Sequence, residues 1–256
     1  MRDLAAFERL TAGLSAGFRA SPGARGLILA GSTADASRRD RWSDHDFLAV
    51  VQEGAGEEAR SRIDWLPEPH RILFVAREGG LGFAALYDDG HLLEFAVGDA
   101  AELEGLALAE HRIEFGDAEF ASFAHQRAGA APPSVDPADE VRLAYVKLLV
   151  GFGRARRGER VVAGQFVRVW AVRHLLTAVR ARLPQPPAGV DPFEPARRIE
   201  AHHPEFAARL DAVLASPVEA AALGVARLAR DALESGWDDF PTAAADVVIG
   251  ILEEER

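Results

Sequence analysis

The sequence predicts an α+β protein with two domains, a sheet-containing one over residues 1–130 and a helical bundle over residues 136–256. Three observations carry this. Short apolar runs of strand length are confined to residues 26–97, and Gly129-Ala130-Ala131-Pro132-Pro133-Ser134 forms a linker of helix breakers. Beyond Asp136-Pro137, the pattern is helical to Arg256, with breaks at Gly158, Pro184–Gly189, Pro204, Pro217 and Pro241.

Taken in order, residues 1–20 read as an amphipathic helix with Leu4, Phe7, Leu10 (or Thr11), Leu14 and Phe18 on one stripe. Gly26-Leu27-Ile28-Leu29-Ala30 is a buried strand that ends at Gly31-Ser32. After an eleven-residue gap, Asp44 and Asp46 open the next strand, which runs on as Phe47-Leu48-Ala49-Val50-Val51. Further strands fall at 71–76, 82–87 and 91–97, the last two joined by Asp88-Asp89-Gly90, a hairpin turn. Helical segments are expected near 99–106 and 117–127. Asp136 followed by Pro137 is an N-cap with proline at N1, a strong helix start.

Chemistry concentrates on three carboxylates. Residues i and i+2 of a strand share a face, so Asp44 and Asp46 aim at one spot and His45 points the other way. Glu94 is the lone charge in Leu92-Leu93-Glu94-Phe95-Ala96-Val97, with Leu92 and Ala96 on its own face. Like charges on a buried sheet repel unless one is protonated or a cation lies between them. Hard oxygen ligands in this pattern suit Mg²⁺, which takes one or two carboxylates plus substrate phosphates. Asp-x-Asp by itself also fits a solvated strand end or helix cap, and Gly-Ser-Thr an ordinary turn. Both on consecutive strands, with Glu94 downstream, favour a site.

At these residues the chain resembles the polymerase-beta-like nucleotidyltransferases, and within them the branch that nucleotidylates aminoglycosides and related small antibiotics. The resemblance rests on Gly31-Ser32, on Asp44 and Asp46, and on Glu94, and it covers the first hundred residues. It implies a nucleotidyltransferase domain with a small mixed sheet, a helical second domain, and an active site in the cleft between them. It implies ATP and one or two Mg²⁺ ions. Asp44, Asp46 and Glu94 would be catalytic and metal-binding, with Glu94 a third ligand or the base. Gly31, Ser32 and Lys147 would bind nucleotide. Lys147 is the only lysine, against 28 arginines, and a lysine at the start of the second domain commonly meets the triphosphate in such relatives. Glu140, about two helical turns before Lys147 on the same face, is a second candidate base; a solvated first-turn acid fits it too.

Composition bounds the alternatives. Net charge is −11, yet Arg142 to Arg182 holds nine arginines and Lys147 against the single acid Glu159. That block reads as nucleic-acid binding, as a triphosphate cradle or as the solvated sides of two helices. The acidic remainder disfavours extended nucleic acid and suits a cationic small-molecule acceptor. With no cysteine, thiol catalysis and zinc–thiolate sites are excluded. There is no P-loop, no Gly-x-Ser-x-Gly elbow, and no phosphate loop at Gly151-Phe152-Gly153, which follows a helix. His202-His203-Pro204 lacks a third metal ligand at suitable spacing. The charged start and the absence of a membrane-length apolar run lead to the expectation of a cytoplasmic protein. Two rival classes stay open at this point, a non-catalytic relative of the fold and a nucleotidyltransferase acting on RNA or protein.

Overall fold

The computed structural model describes residues 4–106, 108, 110–128, 134–184 and 194–254. The fold is α+β, with a six-stranded mixed sheet and a set of packed helices. The chain divides into two compact units, Met1–Ala131 and Pro132–Arg256; Gly129 to Pro133 of the expected linker lie outside the described residues.

In the first unit α1 (Leu4–Arg19) leads into β1 (Ala24–Ala30), the one-turn helix α2 (Gly31–Ala34) and β2 (His45–Val51). There follow α3 (Gly56–Ser61), β3 (Ile72–Glu78), β4 (Gly82–Tyr87), β5 (Leu92–Gly98), β6 (His111–Phe115) and α4 (Ala118–Ala128). The strand order is β3-β4-β5-β2-β1-β6. Every pair is antiparallel except β2 with β5, which run parallel.

Alternation along the strands sorts two cores onto the two faces. On one face Leu27, Leu29, Phe47, Leu93 and Phe95 pack with Leu14 and Phe18 of α1 and with Trp65. On the other, Ile28, Val50 and Ala96 pack with Leu103 and with Phe120 and Ala124 of α4. A side chain such as Phe18, fully buried, contributes about 1.5–3 kcal/mol to this seam. The expected stripe of α1 holds from Phe7 to Phe18, with both Leu10 and Thr11 buried. Leu4, expected on it, stands 62% exposed. Phe47, Phe95 and Phe83 stack across three strands, with ring centroids 4.8 and 5.3 Å apart. The hairpin turn is as expected: Gly90 carries φ +77° and donates its N–H to Tyr87 O.

Three elements differ from expectation. The helix expected near 99–106 is a single 3₁₀ turn, Glu102–Gly105, tied down by the buried Arg60 guanidinium on Glu102. Arg60 belongs to α3, which the sequence did not announce. Nor did it announce β6, whose His111-Arg112-Ile113-Glu114-Phe115 is too charged to read as a buried strand because it forms a sheet edge.

The second unit opens with α5 (Pro137–Arg156), whose N-cap Asp136 accepts from Ala138 N at 2.8 Å. Next comes one helical run made of α6 (Arg160–Gly164), a π-helical stretch Gln165–Ala171 and α7 (Val172–Arg182). Then follow α8 (Ile199–His202), α9 (Pro204–Leu214), α10 (Val218–Leu233) and α11 (Thr242–Glu254). Expected breaks fall at Gly158, which turns with φ +82°, and at Pro204, Pro217 and Pro241, which stand at helix starts; residues 185–193 lie outside the described residues. The core joins Leu148, Phe152, Leu175, Leu176 and Leu228. Gly151 lets α5 approach the π stretch: a Cβ there would lie 2.6 Å from Val167 Cγ2.

Candidate active site

Site geometry starts at Gly31, where β1 stops. Its φ of +55° is left-handed, and a Cβ at this position would sit 3.0 Å from Asp46 Oδ2. Glycine takes this turn without strain and leaves the Asp46 carboxylate undisturbed. The Gly31 N–H is taken by Glu110 O at 3.1 Å, which ties the turn to the residue just before β6. Thr33, fully buried, then welds α2 to the next strand. Its Oγ1 donates to Asp44 O at 3.1 Å and accepts from Asp46 N at 3.0 Å. Arg39 closes the same turn from outside, donating from Nε to Ser32 O at 3.0 Å and from Nη2 to Thr33 O at 2.7 Å. Its guanidinium also pairs with Glu8 and lies over the Phe7 ring.

These contacts hold the carboxylates. Asp46 and Glu94 are direct partners across the parallel β2–β5 pair, so both project from one face, and Asp44 stands just before β2. One ligand oxygen from each of Asp44, Asp46 and Glu94 lies within 4.8 Å of the others. Asp44 and Asp46 are partly buried and Glu94 is exposed. Burial, then the charge of Asp44, then that of Glu78, push the Glu94 carboxyl above its ordinary value. The donor set is all oxygen and mutually repelling, and Gly31 leaves room beside Asp46; this fits a hard divalent cation such as Mg²⁺.

His45 points to the opposite face, as the strand period requires. It is fully buried and stacked on Phe7 at 3.8 Å. Thr11 donates its hydroxyl to Phe7 O and so accepts from His45 Nε2 at 2.8 Å. The other ring nitrogen, Nδ1, lies 2.6 Å from His91 Nε2. Burial, reinforced by His91 and Arg39, lowers the His45 pKa to about 3, so the ring is neutral and structural.

Sequence reading named Asp44, Asp46, Glu94, Gly31 and Ser32, and these fall together on one end of the sheet. Lys147 stands partly buried on α5, in the second unit. Glu140, on the same helix, is neither solvated nor free: it meets His174 Nδ1 at 2.8 Å, with 16% of its side chain exposed. The basic block is largely spent within its own unit. Arg154 and Arg157 meet Glu159, Arg160 meets Glu219, and Arg173 meets Glu194. Arg168 donates to Leu214 O and Ser216 O, and Arg180 to Arg197 O. Thr33, Arg39 and Glu78 escaped sequence reading. A threonine directly after Gly-Ser was the one available signal for Thr33; Arg39 and Glu78 reach the site only through the fold.

No protein-family model and no curated protein matches the chain. Among solved structures, a nucleotidyltransferase-like protein from Exiguobacterium sibiricum 255-15 is similar at 15% identity over 97% of this chain and 80% of that chain, with a TM-score of 0.33. So loose a likeness transfers no residue and no activity. Among the described residues no helix is long and apolar enough to cross a membrane.

Proposed function

We propose that the protein transfers a nucleoside monophosphate from a nucleoside triphosphate, ATP in the first instance, to a hydroxyl of a small cationic acceptor, releasing pyrophosphate. The observation that carries this is the convergence of Asp44, Asp46 and Glu94 beside the Gly31-Ser32 turn. Asp44, Asp46 and Glu94 would hold Mg²⁺, which supplies charge neutralisation at the transferred phosphorus and activation of the acceptor oxygen. The acceptor oxygen attacks the α-phosphorus, the bond to the β-phosphate oxygen breaks, and pyrophosphate leaves with the electron pair. Ser32 and the backbone N–H groups after Gly31 are assigned to the terminal phosphates; the Gly31 N–H itself is engaged by Glu110 O. Lys147 is assigned to the departing pyrophosphate as a compact charge.

Glu94 has a second role open to it. Its carboxyl, pushed above the ordinary value by burial and by its acidic neighbours, is suited to take the acceptor proton. The internal pairing of the basic block speaks against an RNA substrate, and retention of three repelling carboxylates speaks against a non-catalytic role. The test is a screen of aminoglycosides and other hydroxyl acceptors with ATP and Mg²⁺, reading pyrophosphate release. Asp46→Asn serves as the blank. Release that is absent for every acceptor and nucleotide, or equal in the blank, would overturn the proposal.

A further inference from the structure

The face that carries the carboxylates continues past them, across β5, β4 and β3, to the edge of the sheet. Strand register lays out its rows. Asp46 faces Glu94, Glu94 faces Ala84, and Ala84 faces Ala76. Direct partners project to the same side, so the row next to the metal-binding carboxylates is floored by two alanines. The flanking row toward the Asp44 end is Leu92, Leu86 and Phe74. The flanking row on the other side is Ala96, Gly82 and Glu78.

The result is a shallow trough with an alanine floor, an apolar wall of Leu92, Leu86 and Phe74, and Glu78 at its outer corner. The buried core on this face takes in Ile28, Val50, Ala96, Leu103, Leu108, Phe120 and Ala124, and none of Phe74, Ala76, Ala84, Leu86 or Leu92. Phe74 is 51% exposed. The exposed Glu78 carboxylate makes no hydrogen bond or ion pair among the described residues, in a chain where arginines pair with acids on many elements. The other edge strand, β6, is built differently, short and with Arg112 paired to Glu114.

From this geometry we infer that the trough seats the acceptor, and that the acceptor carries a flat apolar body and a single cationic group rather than the many ammonium groups of a polyamino sugar. The inference rests on the nucleotidyl-transfer reading and deepens it. Small alanines admit a ring or a hydrocarbon edge where longer side chains would not. A hydroxyl placed at Glu94 would have its body run outward over Ala84 and Ala76. Two strand spacings separate β5 from β3, about 10 Å, so a cation hydrogen-bonded to Glu78 sits within that distance of the reacting oxygen. A carboxylate without a partner at the end of an apolar trough selects an ammonium over a neutral group by a charge-assisted hydrogen bond.

The experiment uses the full chain with Mg²⁺ and ATP. Three probes are compared: 4-(hydroxymethyl)benzylamine, its neutral counterpart 4-methylbenzyl alcohol, and kanamycin as the polycationic sugar. Turnover is read by pyrophosphate release, and binding by calorimetry in the presence of a non-hydrolysable ATP analogue. The benzylamine is expected to bind about tenfold or more tighter than the neutral alcohol, a difference of about 1.4 kcal/mol. Glu78→Gln should erase that preference. Ala84→Leu should raise the acceptor KM or Kd about tenfold by filling the floor, with the KM for ATP unchanged. Preference for kanamycin over the benzylamine would overturn the inference, as would indifference of acceptor binding to both substitutions. Loss of Mg²⁺-dependent ATP binding in the unaltered protein is a different failure: it removes the nucleotidyl-transfer reading, and this one with it.

Discussion

Replacing Thr33 by valine keeps its volume and removes the one hydroxyl that joins α2 to the carbonyl of Asp44 and the N–H of Asp46. Leaving those groups unpaired in a buried place costs about 1–3 kcal/mol, and it loosens the segment that aims both aspartates. Thr33→Val is therefore expected to lower the urea midpoint and to weaken Mn²⁺ binding, while Thr33→Ser, which retains the hydroxyl, recovers most of both. Equal metal affinity in the two variants would count against the role given to Thr33. Asp44→Asn and Asp46→Asn should act in the opposite sense on stability, because each relieves repulsion within the trio. Folding without metal should be unchanged or slightly tighter, and transfer should fall by roughly 10²-fold or more. Near-normal turnover in both would remove the carboxylates from the chemistry. His45 adds a pH signature. Its folded-state pKa of about 3 lies below the ordinary 6.5, so the unfolded chain takes up a proton that the native state refuses. Stability should be level above about pH 7.5 and fall as acid is added below 6.5, by up to about 1.4 kcal/mol per pH unit. Denaturant titrations from about pH 7.5 to 5.5 would show the slope, and His45→Asn should flatten it.

Elements answered to sequence in proportion to how local their cause is. The start of α5 is legible because Asp136 and Pro137 are sufficient for it: a side-chain cap on Ala138 N and a residue that needs no N–H. Asp136→Ala should cost about 1 kcal/mol, seen as a lower melting temperature with no change in the metal site. A loss beyond about 2 kcal/mol would mean the aspartate does more than cap. The strands β2 and β5 are legible because a short, continuous apolar run marks a buried strand, and a single carboxylate within it marks the face that stays open. By contrast β6 and α3 were silent. β6 owes its strand to pairing with β1, and α3 is held by Arg60 reaching Glu102 and Val97 O across 42 and 37 residues of sequence. Neither partner is readable from the segment itself.

At the scale of the whole molecule, metal and nucleotide should stabilise together and far less apart. The trio needs a cation to relieve its repulsion, and Mg²⁺ completes its shell with phosphate oxygens. At about 100 Kd of Mg²⁺·ATP the gain is about 2.7 kcal/mol, a rise in Tm of roughly 5–10 °C for a chain of this size. Differential scanning fluorimetry with ATP in Mg²⁺ against ATP in EDTA would measure it; equal shifts would contradict a metal site. The basic block of the second unit drew attention by its charge alone. Packing disperses it, because guanidiniums such as those of Arg154, Arg160, Arg168 and Arg180 find a nearby carboxylate or backbone carbonyl. Charge counts carry no information about such pairing.

By itself the sequence determined the α+β class, the faces of β2 and β5, and the identity of the three carboxylates, since strand periodicity is a local rule and a lone charge in an apolar run is conspicuous. It also pointed to Gly31 as a glycine with a purpose, through the pairing of Gly-Ser with Asp-x-Asp. Only the tertiary structure decided that Glu94 pairs in register with Asp46 on a parallel neighbour, that Thr33 and Arg39 clamp the turn, and that Glu140 is occupied by His174. It alone laid Ala84 and Ala76 beside Glu94 and left the Glu78 carboxylate without a partner among the described residues. Register, clamping and pairing join residues far apart in the chain, and they are set by the packing of whole strands and helices rather than by any pattern a short window of sequence can hold.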